Sequence, residues 1–344
     1  MAAESTGWRG VWTLGESRGG EIGSVSFELL AWGRALADKL GVELASVVLG
    51  SGVSSTAETL IHHGADKVYL VDNPGLAHFT PDAHARVLES LVAEFRPEIL
   101  IASATTYGRT VMPYLAARLG TGLTADCTEL DIEEGTGLLI QRRPAIGGNV
   151  MATIKTPAHR PQMATVRPKS RRPLPADPGR RGSVIPREYP EETYRSSVRV
   201  LGFRRDDSAS IPLQEADVVV SGGKGLRDAK NFKLLHELAG LLGGVVGASR
   251  SAVDAGWIGY PHQVGLSGKT VSPRLYLAAG ISGAVQHVAG MSSAETVVAI
   301  NLDPEAAIFR VSDLGVVGDA LEILPELVKL LKDHRQQSAA EGGA

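Results

Sequence analysis

The sequence predicts an α/β protein with two doubly wound parallel-sheet domains, the first carrying an antiparallel extension. Three observations lead there. Short apolar runs alternate with stretches of helical spacing in both halves, the pattern of strand–helix–strand crossovers. A segment rich in proline and arginine separates the halves. With 344 residues, the chain is long enough to bury two cores.

The first domain is expected over residues 1–205. Phe27–Leu40 has helical spacing, and Leu44–Leu49 is a continuous apolar run suited to a buried strand. Thr56–His63 is helical again and Lys67–Val71 strand-like. Ala83–Phe95 and Glu98–Ala102 repeat the alternation, and Arg109–Leu119 adds a helix. After Gly120 the rhythm changes. Thr128–Ile132, Gly137–Arg142, Asn149–Thr153 and Gln162–Val166 are short strand-like runs, expected to form the antiparallel extension. The prolines of 167–195 deny that stretch a helix or a central strand. It reads as a connector, with a little β-structure near Ser196–Phe203 and the domain boundary around Asp206–Gln214.

The second domain, 206–344, restarts the alternation. Ala216–Val220 is a buried strand, Asn231–Leu242 a helix, and Val245 and Val246 the next strand. Arg274–Ala279 and Thr296–Ile300 are further strands, and Val316–Leu331 is read as a closing helix. Several strands run into glycine-bearing turns: Gly222-Gly223-Lys224-Gly225, Gly247-Ala248-Ser249-Arg250 and Gly280-Ile281-Ser282-Gly283. Asn301 follows the last of these strands. Open parallel sheets bind ligands beyond the carboxyl ends of their strands. Glycine admits a ligand close to the backbone there, and helix N-termini offer free N–H groups. Ser282 is expected to cap the helix holding Gln286 and His287. A series of such turns at one sheet edge points to a large phosphate-bearing ligand. Each turn alone reads as a tight connection, Arg250 alone as an ion-pair residue, and His287 alone as a satisfied helix histidine.

Composition excludes several classes. The net charge of −3 gives no ground for a nucleic-acid partner. Arg167–Arg205 is locally basic, with eleven Lys/Arg against four Asp/Glu, which suits an acidic partner or a solvated connector. Cys127 is the single cysteine, so neither an internal disulfide nor a cluster on four thiolates is possible. Met1–Ser5 lacks a basic region followed by an apolar core, and no window approaches the ~18 apolar residues of a membrane span. A cytoplasmic protein with no direct membrane insertion is expected. GxGxxG, HExxH, GxSxG and the P-loop are all absent.

The stretches "SGGKGL", "GASRSAVDAGW", "QVGLSGKTVSPRLYLAAGISGAVQHVAGM", "VVAINLDPEAAIF" and "DLGVVGDALEILPEL" together resemble the α subunit of electron-transfer flavoproteins. The likeness runs almost continuously from Val218 to Leu327. It is looser in the first domain, through "TTYGRTVMPYLAARLGTGLTADCTEL", "RRPAIGGNVMATI" and "PQMATVRP". This resemblance implies a Rossmann-like second domain holding one FAD, and an obligate β subunit. The implied contacts are Lys224, Ser249, Arg250, Gln263, the turn Val264, Gly265, Leu266 and Ser267, the turn Ser282, Gly283, Ala284, Val285, Gln286 and His287, then Asn301, Asp319 and Ala320. Asn301 and Asp319 are implied at the adenosine end and the glycine turns at the pyrophosphate. Gln263, Ser267, Arg250 and His287 are implied beside the isoalloxazine. Reduction of a flavin adds negative charge along its N1–C2=O2 edge, which a cation such as Arg250 and a donor such as His287 favour. The Ser267 hydroxyl is suited to exchange a hydrogen bond with N5.

Within the family, "YPHQVG" at Tyr260–Gly265 resembles bifurcating and nitrogen-fixation-linked members, and Ser267 stands where ordinary members usually have threonine. The bifurcating reading expects NADH as donor and a second FAD in β. Its high-potential acceptor is an acyl-CoA dehydrogenase or quinone-linked oxidoreductase. Its low-potential acceptor, ferredoxin or flavodoxin, is a separate protein, because one cysteine supports no fused ferredoxin-like domain. The ordinary alternative has AMP in β and shuttles single electrons from acyl-CoA dehydrogenases to a quinone reductase. Two readings lie outside electron transfer: an adenine-nucleotide-binding regulatory module, or an NAD-dependent enzyme on the second domain. The first domain lacks a comparable series of glycine turns and is expected to be structural and to contact the other subunit.

Overall fold

The computed structural model describes residues 7–145, 150–202 and 213–341. The expected boundary at 205/206, the N-terminal Met1–Ser5, Asn149 and Phe203 lie outside the described residues. The chain divides into two compact units, Met1–Pro144 with Met151–Phe203, and Ala145–Val150 with Arg204–Ala344.

The first unit opens with β1 (Val11–Gly15), a two-residue hairpin β2 (Ser17–Arg18) and β3 (Glu21–Ile22), and α1 (Val25–Leu40). It continues through β4 (Leu44–Gly50), α2 (Thr56–His62), β5 (Lys67–Asp72), α3 (Pro81–Phe95), β6 (Ile99–Ser103) and α4 (Thr106–Leu119). β7 (Leu123–Cys127), β8 (Glu129–Ile132), β9 (Leu139–Pro144), β10 (Met151–Ile154), β11 (Gln162–Val166), β12 (Ser183–Pro186) and α5 (Glu191–Tyr194) complete it. Seven strands form one parallel sheet in the order β12-β5-β4-β1-β6-β11-β7. Order reverses around β1. Helices α1 and α2 therefore pack on one face, over Val11, Leu44 and Val68, and α3 and α4 on the other, over Trp12, Val47 and Leu100.

Three expectations for this unit are corrected. β11 belongs to the parallel sheet, between β6 and β7, and only β8, β9 and β10 form the antiparallel extension. All five residues of β11 are buried, as a strand covered on both faces requires. The connector contributes its strand at Ser183–Pro186, residues 196–202 form none, and the stretch expected to hold no helix carries the four-residue α5. β12 lies at the sheet edge, where the missing N–H of Pro186 interrupts no inner ladder. The run "VWTLG", for which no element was expected, is the central strand.

Glu16 follows β1 and accepts a hydrogen bond from Thr105 Oγ1 at 2.5 Å. Thr105 also caps α4, accepting from Gly108 N. Burial pushes the Glu16 carboxyl up to about 7, opposed by the Thr105 hydrogen bond. A carboxyl raised this way stabilises the fold below its unfolded pKa of ~4.3 and loses that contribution as pH rises through about 7. Glu16→Gln keeps the shape and the acceptor without the charge. It should match the wild type near and below pH 4 and unfold later at pH 8, by about 2 kcal/mol for this part-buried group. Thermal unfolding at both pH values checks this. A gap that does not widen with pH refutes it.

The second unit comprises β13 (Val218–Gly222), α6 (Phe232–Leu242), β14 (Val245–Ala248), α7 (Arg250–Asp254), β15 (Leu275–Ala279), α8 (Val285–Val288), β16 (Thr296–Asn301), β17 (Leu314–Val317) and α9 (Ala320–Glu341). Its sheet is parallel throughout, in the order β14-β13-β15-β16-β17, and reverses around β13. Leu235 and Leu238 of α6 and Leu324 and Val328 of α9 bury one face. Loop residues Val264, Val271, Met291 and Ile308 bury the other. Val316 and Val317 belong to β17 and not to the closing helix. Asp319 separates the two elements, its Oδ1 accepting from Leu321 N at the start of α9. Among the described residues no helix is long and apolar enough to cross a membrane.

Candidate functional site

Register sets the carboxyl ends of β14, β13, β15 and β16 level: Gly222 pairs with Ala248 and Ala279, and Ala279 with Ile300. Beyond them lies a cavity of about 610 Å³. Lys224 and Gly225 enter its wall after β13, and Ser249, Arg250, Ser251 and Asp254 after β14. The turn Val264, Gly265, Leu266 and Ser267 forms another side. Gly280, Ile281, Ser282, Ala284, Gln286 and His287 follow β15, and Asn301 ends β16.

Five of the expected contacts are not on this wall, and each has another partner or environment. Gln263 is buried behind Ser267. Gly283 lies under Ile308: a Cβ there would sit 2.1 Å from Ile308 N. Val285 is half exposed. Asp319 accepts from Arg227 Nη2 at 2.6 Å besides starting α9. Ala320 belongs to the core under α6 and α9. On the wall itself, Gly225, Gly280 and Ile281 come from the expected glycine turns, and Ser251 and Asp254 were not anticipated. Asp254 had a signal, since it stands four residues after Arg250 and shares its helix face.

Three of the glycines also pack against each other. A Cβ on Gly223 would lie 2.2 Å from the Gly280 carbonyl oxygen, and one on Gly225 2.6 Å from Gly280 Cα. Gly223 N donates to Ala279 O and Gly225 N to Gly280 O, both at 3.0 Å. Bare backbone is needed so that two turns can lie on each other, and this contact builds the cavity wall. Ser282 does not cap a helix: α8 is four residues long, begins at Val285, and has no side-chain cap.

Polar groups on the wall are held from behind. His287 Nε2 is hydrogen-bonded to the hydroxyl of fully buried Tyr276 at 2.9 Å, and its Nδ1 is buried as well. Burial pushes the imidazole down to about 4, only partly opposed by the Val264 carbonyl, so it is neutral at pH 7. Arg250 Nε donates to Asp254 Oδ2 at 3.2 Å. Lys224 Nζ stands 5.6 Å from the Trp257 ring centroid. Asn301 Nδ2 donates to Ile281 O at 2.8 Å, tying two turns together.

The carboxyl edge beside the reversal point is where doubly wound sheets take dinucleotides, and the second unit is of that class. The particular family follows from comparison. Residues 11–191 match the Electron transfer flavoprotein domain, and residues 212–292 the Electron transfer flavoprotein FAD-binding domain. The electron transfer flavoprotein subunit alpha of Thermoanaerobacterium thermosaccharolyticum is 47% identical over 327 residues, 94% of this chain and 98% of that one. Protein FixB of Clostridium saccharobutylicum is 47% identical over 326 residues, 95% and 97% of the two chains. Protein FixB of Rhizobium meliloti is 45% identical over 332 residues, 94% and 93%. The chain belongs to the electron transfer flavoprotein α-subunit family. Its cofactor is FAD, and α subunits of this family pair with a β subunit. The residues present fit FAD: the cavity has room for a large ligand, and two cations, Lys224 and Arg250, stand on its wall for a phosphate-bearing cofactor.

Proposed function

We propose that this chain is the FAD-carrying α subunit of a cytoplasmic, heterodimeric electron-transfer flavoprotein of the bifurcating type. NADH is the donor, ferredoxin or flavodoxin the low-potential acceptor, and an acyl-CoA dehydrogenase or quinone-linked oxidoreductase the high-potential one. The observation that carries the electron-transfer reading is the cavity wall itself, with Lys224, Arg250 and His287 all bordering one cofactor space. FAD supplies the redox chemistry. Lys224, Ser249, Arg250, the 264–267 turn, Ser282, Ala284, Gln286, His287 and Asn301 would hold and orient it. Gln263, Gly283, Val285, Asp319 and Ala320 would support that wall from behind or beside it. Arg250 supplies positive charge, and neutral His287 a hydrogen-bonding nitrogen, where reduction adds negative charge.

Support for bifurcation comes from "YPHQVG" and Ser267, and from relatives that bear the name FixB. The test is co-purification with β, followed by counting of FAD and AMP and addition of NADH. Two FAD per αβ pair and direct bleaching by NADH are expected. One FAD with one AMP and no response to NADH returns the ordinary carrier. A colourless complex loaded with adenine nucleotide overturns electron transfer altogether.

A further inference from the structure

Gln263 is 3% exposed and stands behind the cavity wall. Its side-chain amide donates Nε2–H to Ser267 Oγ at 3.0 Å. The loop leaves this pair little freedom. Gln263 N donates to Tyr260 O at 2.9 Å, and Gln263 O accepts from Lys269 N at 2.7 Å. A Cβ on Gly268 would lie 2.4 Å from Gln263 O, so the closure needs glycine there. From the far side the Tyr260 hydroxyl donates to the Ser267 carbonyl at 3.0 Å. A serine hydroxyl has one proton and two acceptor positions. One acceptor position is taken by the amide, and among the described residues Ser267 Oγ has no acceptor for its own proton. That proton is left for whatever fills the cavity.

We propose that Gln263 is a positioning residue that fixes Ser267 as a hydrogen-bond donor toward the cofactor. The inference rests on the reading above that Ser267 meets the flavin ring at N5. That atom is an acceptor when the flavin is oxidised and carries a proton when it is fully reduced. A fixed donor there favours the unprotonated ring and resists the step that protonates N5. Without Gln263 the hydroxyl turns freely and accepts from N5–H as readily as it donates.

The experiment uses the αβ complex with bound flavin in four forms: wild type, Gln263→Met, Ser267→Ala and the double variant. Two quantities are read, the midpoint potential of the reduction step that protonates N5 and the visible spectrum of the oxidised complex. Methionine keeps the length of glutamine and removes the donor; Gln263→Leu replaces it should that variant lose FAD. Gln263→Met should shift the equilibrium toward the protonated ring by roughly three- to tenfold, tenfold being about 59 mV for one electron. In the Ser267→Ala background the same substitution should shift nothing. Equal shifts in both backgrounds mean that Gln263 acts through packing, and overturn the proposal. So does no shift, or one of opposite sign, the latter because Gln263 would then present its carbonyl to Ser267. If Ser267→Ala leaves both potential and spectrum at wild-type values, the placement of the flavin fails as well.

Discussion

Gly223→Ala is expected to yield an αβ complex that retains little or no FAD, with a second unit that unfolds on the order of 10 °C lower. Gly223 itself sits at φ −116° and ψ −169°, an extended conformation that alanine adopts freely, so the penalty is purely steric. The new methyl group would lie 2.2 Å from the Gly280 oxygen and 2.9 Å from Ile281 Cα, and both are backbone atoms with no rotamer to change. Relief requires the β13 turn to withdraw from the β15 turn. That motion breaks the hydrogen bonds from Gly223 N to Ala279 O and from Gly225 N to Gly280 O. Overpacking of this kind costs about 3 kcal/mol, and it acts on two sides of the cofactor cavity at once. Gly240→Ala is the control. It lies in α6 with nothing near its Cβ position, and should stabilise by about 0.5–1 kcal/mol. Flavin absorbance and thermal unfolding report both effects. A yellow Gly223→Ala protein that melts with the wild type would show that the two turns are not rigidly apposed.

That result would separate two meanings of glycine that a sequence cannot distinguish. "SGGKG" and "GISG" stand out as turns, and a turn that admits a ligand looks the same in one dimension as a turn that admits another turn. The partner of Gly223 is 57 residues away, at Gly280, and only the sheet order β14-β13-β15 brings them together. The same limit governs the fold. Alternating periods reveal β4, α2, β5, α3 and β6 because each is a local pattern. β11 is just as buried, but its place between β6 and β7 is a long-range pairing, and its sequence neighbours β9 and β10 suggested the wrong sheet. β17 was hidden because Val316 and Val317 continue the spacing of Leu321 and Leu324; Gly318 and Asp319 were the signal of a break. In the site, Arg250, Ser267 and His287 emerge from extended motifs. Tyr276, which holds His287, reads as one apolar residue of a strand, and its hydroxyl has meaning only once the loop folds over it.

Arg250→Ala should lower the one-electron potential of the α-subunit FAD by about 60–130 mV. The guanidinium stands on the cavity wall with Nε committed to Asp254 Oδ2, which leaves its Nη edge free for the cofactor. The side chains of this pair are 70% and 62% exposed, so the ion pair itself contributes well under 1 kcal/mol to folding. Loss of Arg250 should therefore leave the melting temperature near that of wild type. FAD occupancy should fall only modestly, because the turns from Lys224, Ser249 and Ser282 still enclose the cofactor. What changes is the electrostatics. A charge-assisted hydrogen bond is worth roughly 1.5–3 kcal/mol, and about 1.4 kcal/mol corresponds to ~59 mV for one electron. Arg250→Lys should recover part of the shift, since an ammonium keeps the charge but lacks the planar fork. Asp254→Asn separates the two roles of the arginine. It removes the ion pair and leaves the guanidinium in place, so the potential should not fall. Spectroelectrochemical titration of the four complexes decides the matter. Wild-type potentials in both Arg250 variants would reduce the residue to an exposed partner of Asp254, and the charge that stabilises the reduced flavin would have to come from elsewhere in the complex.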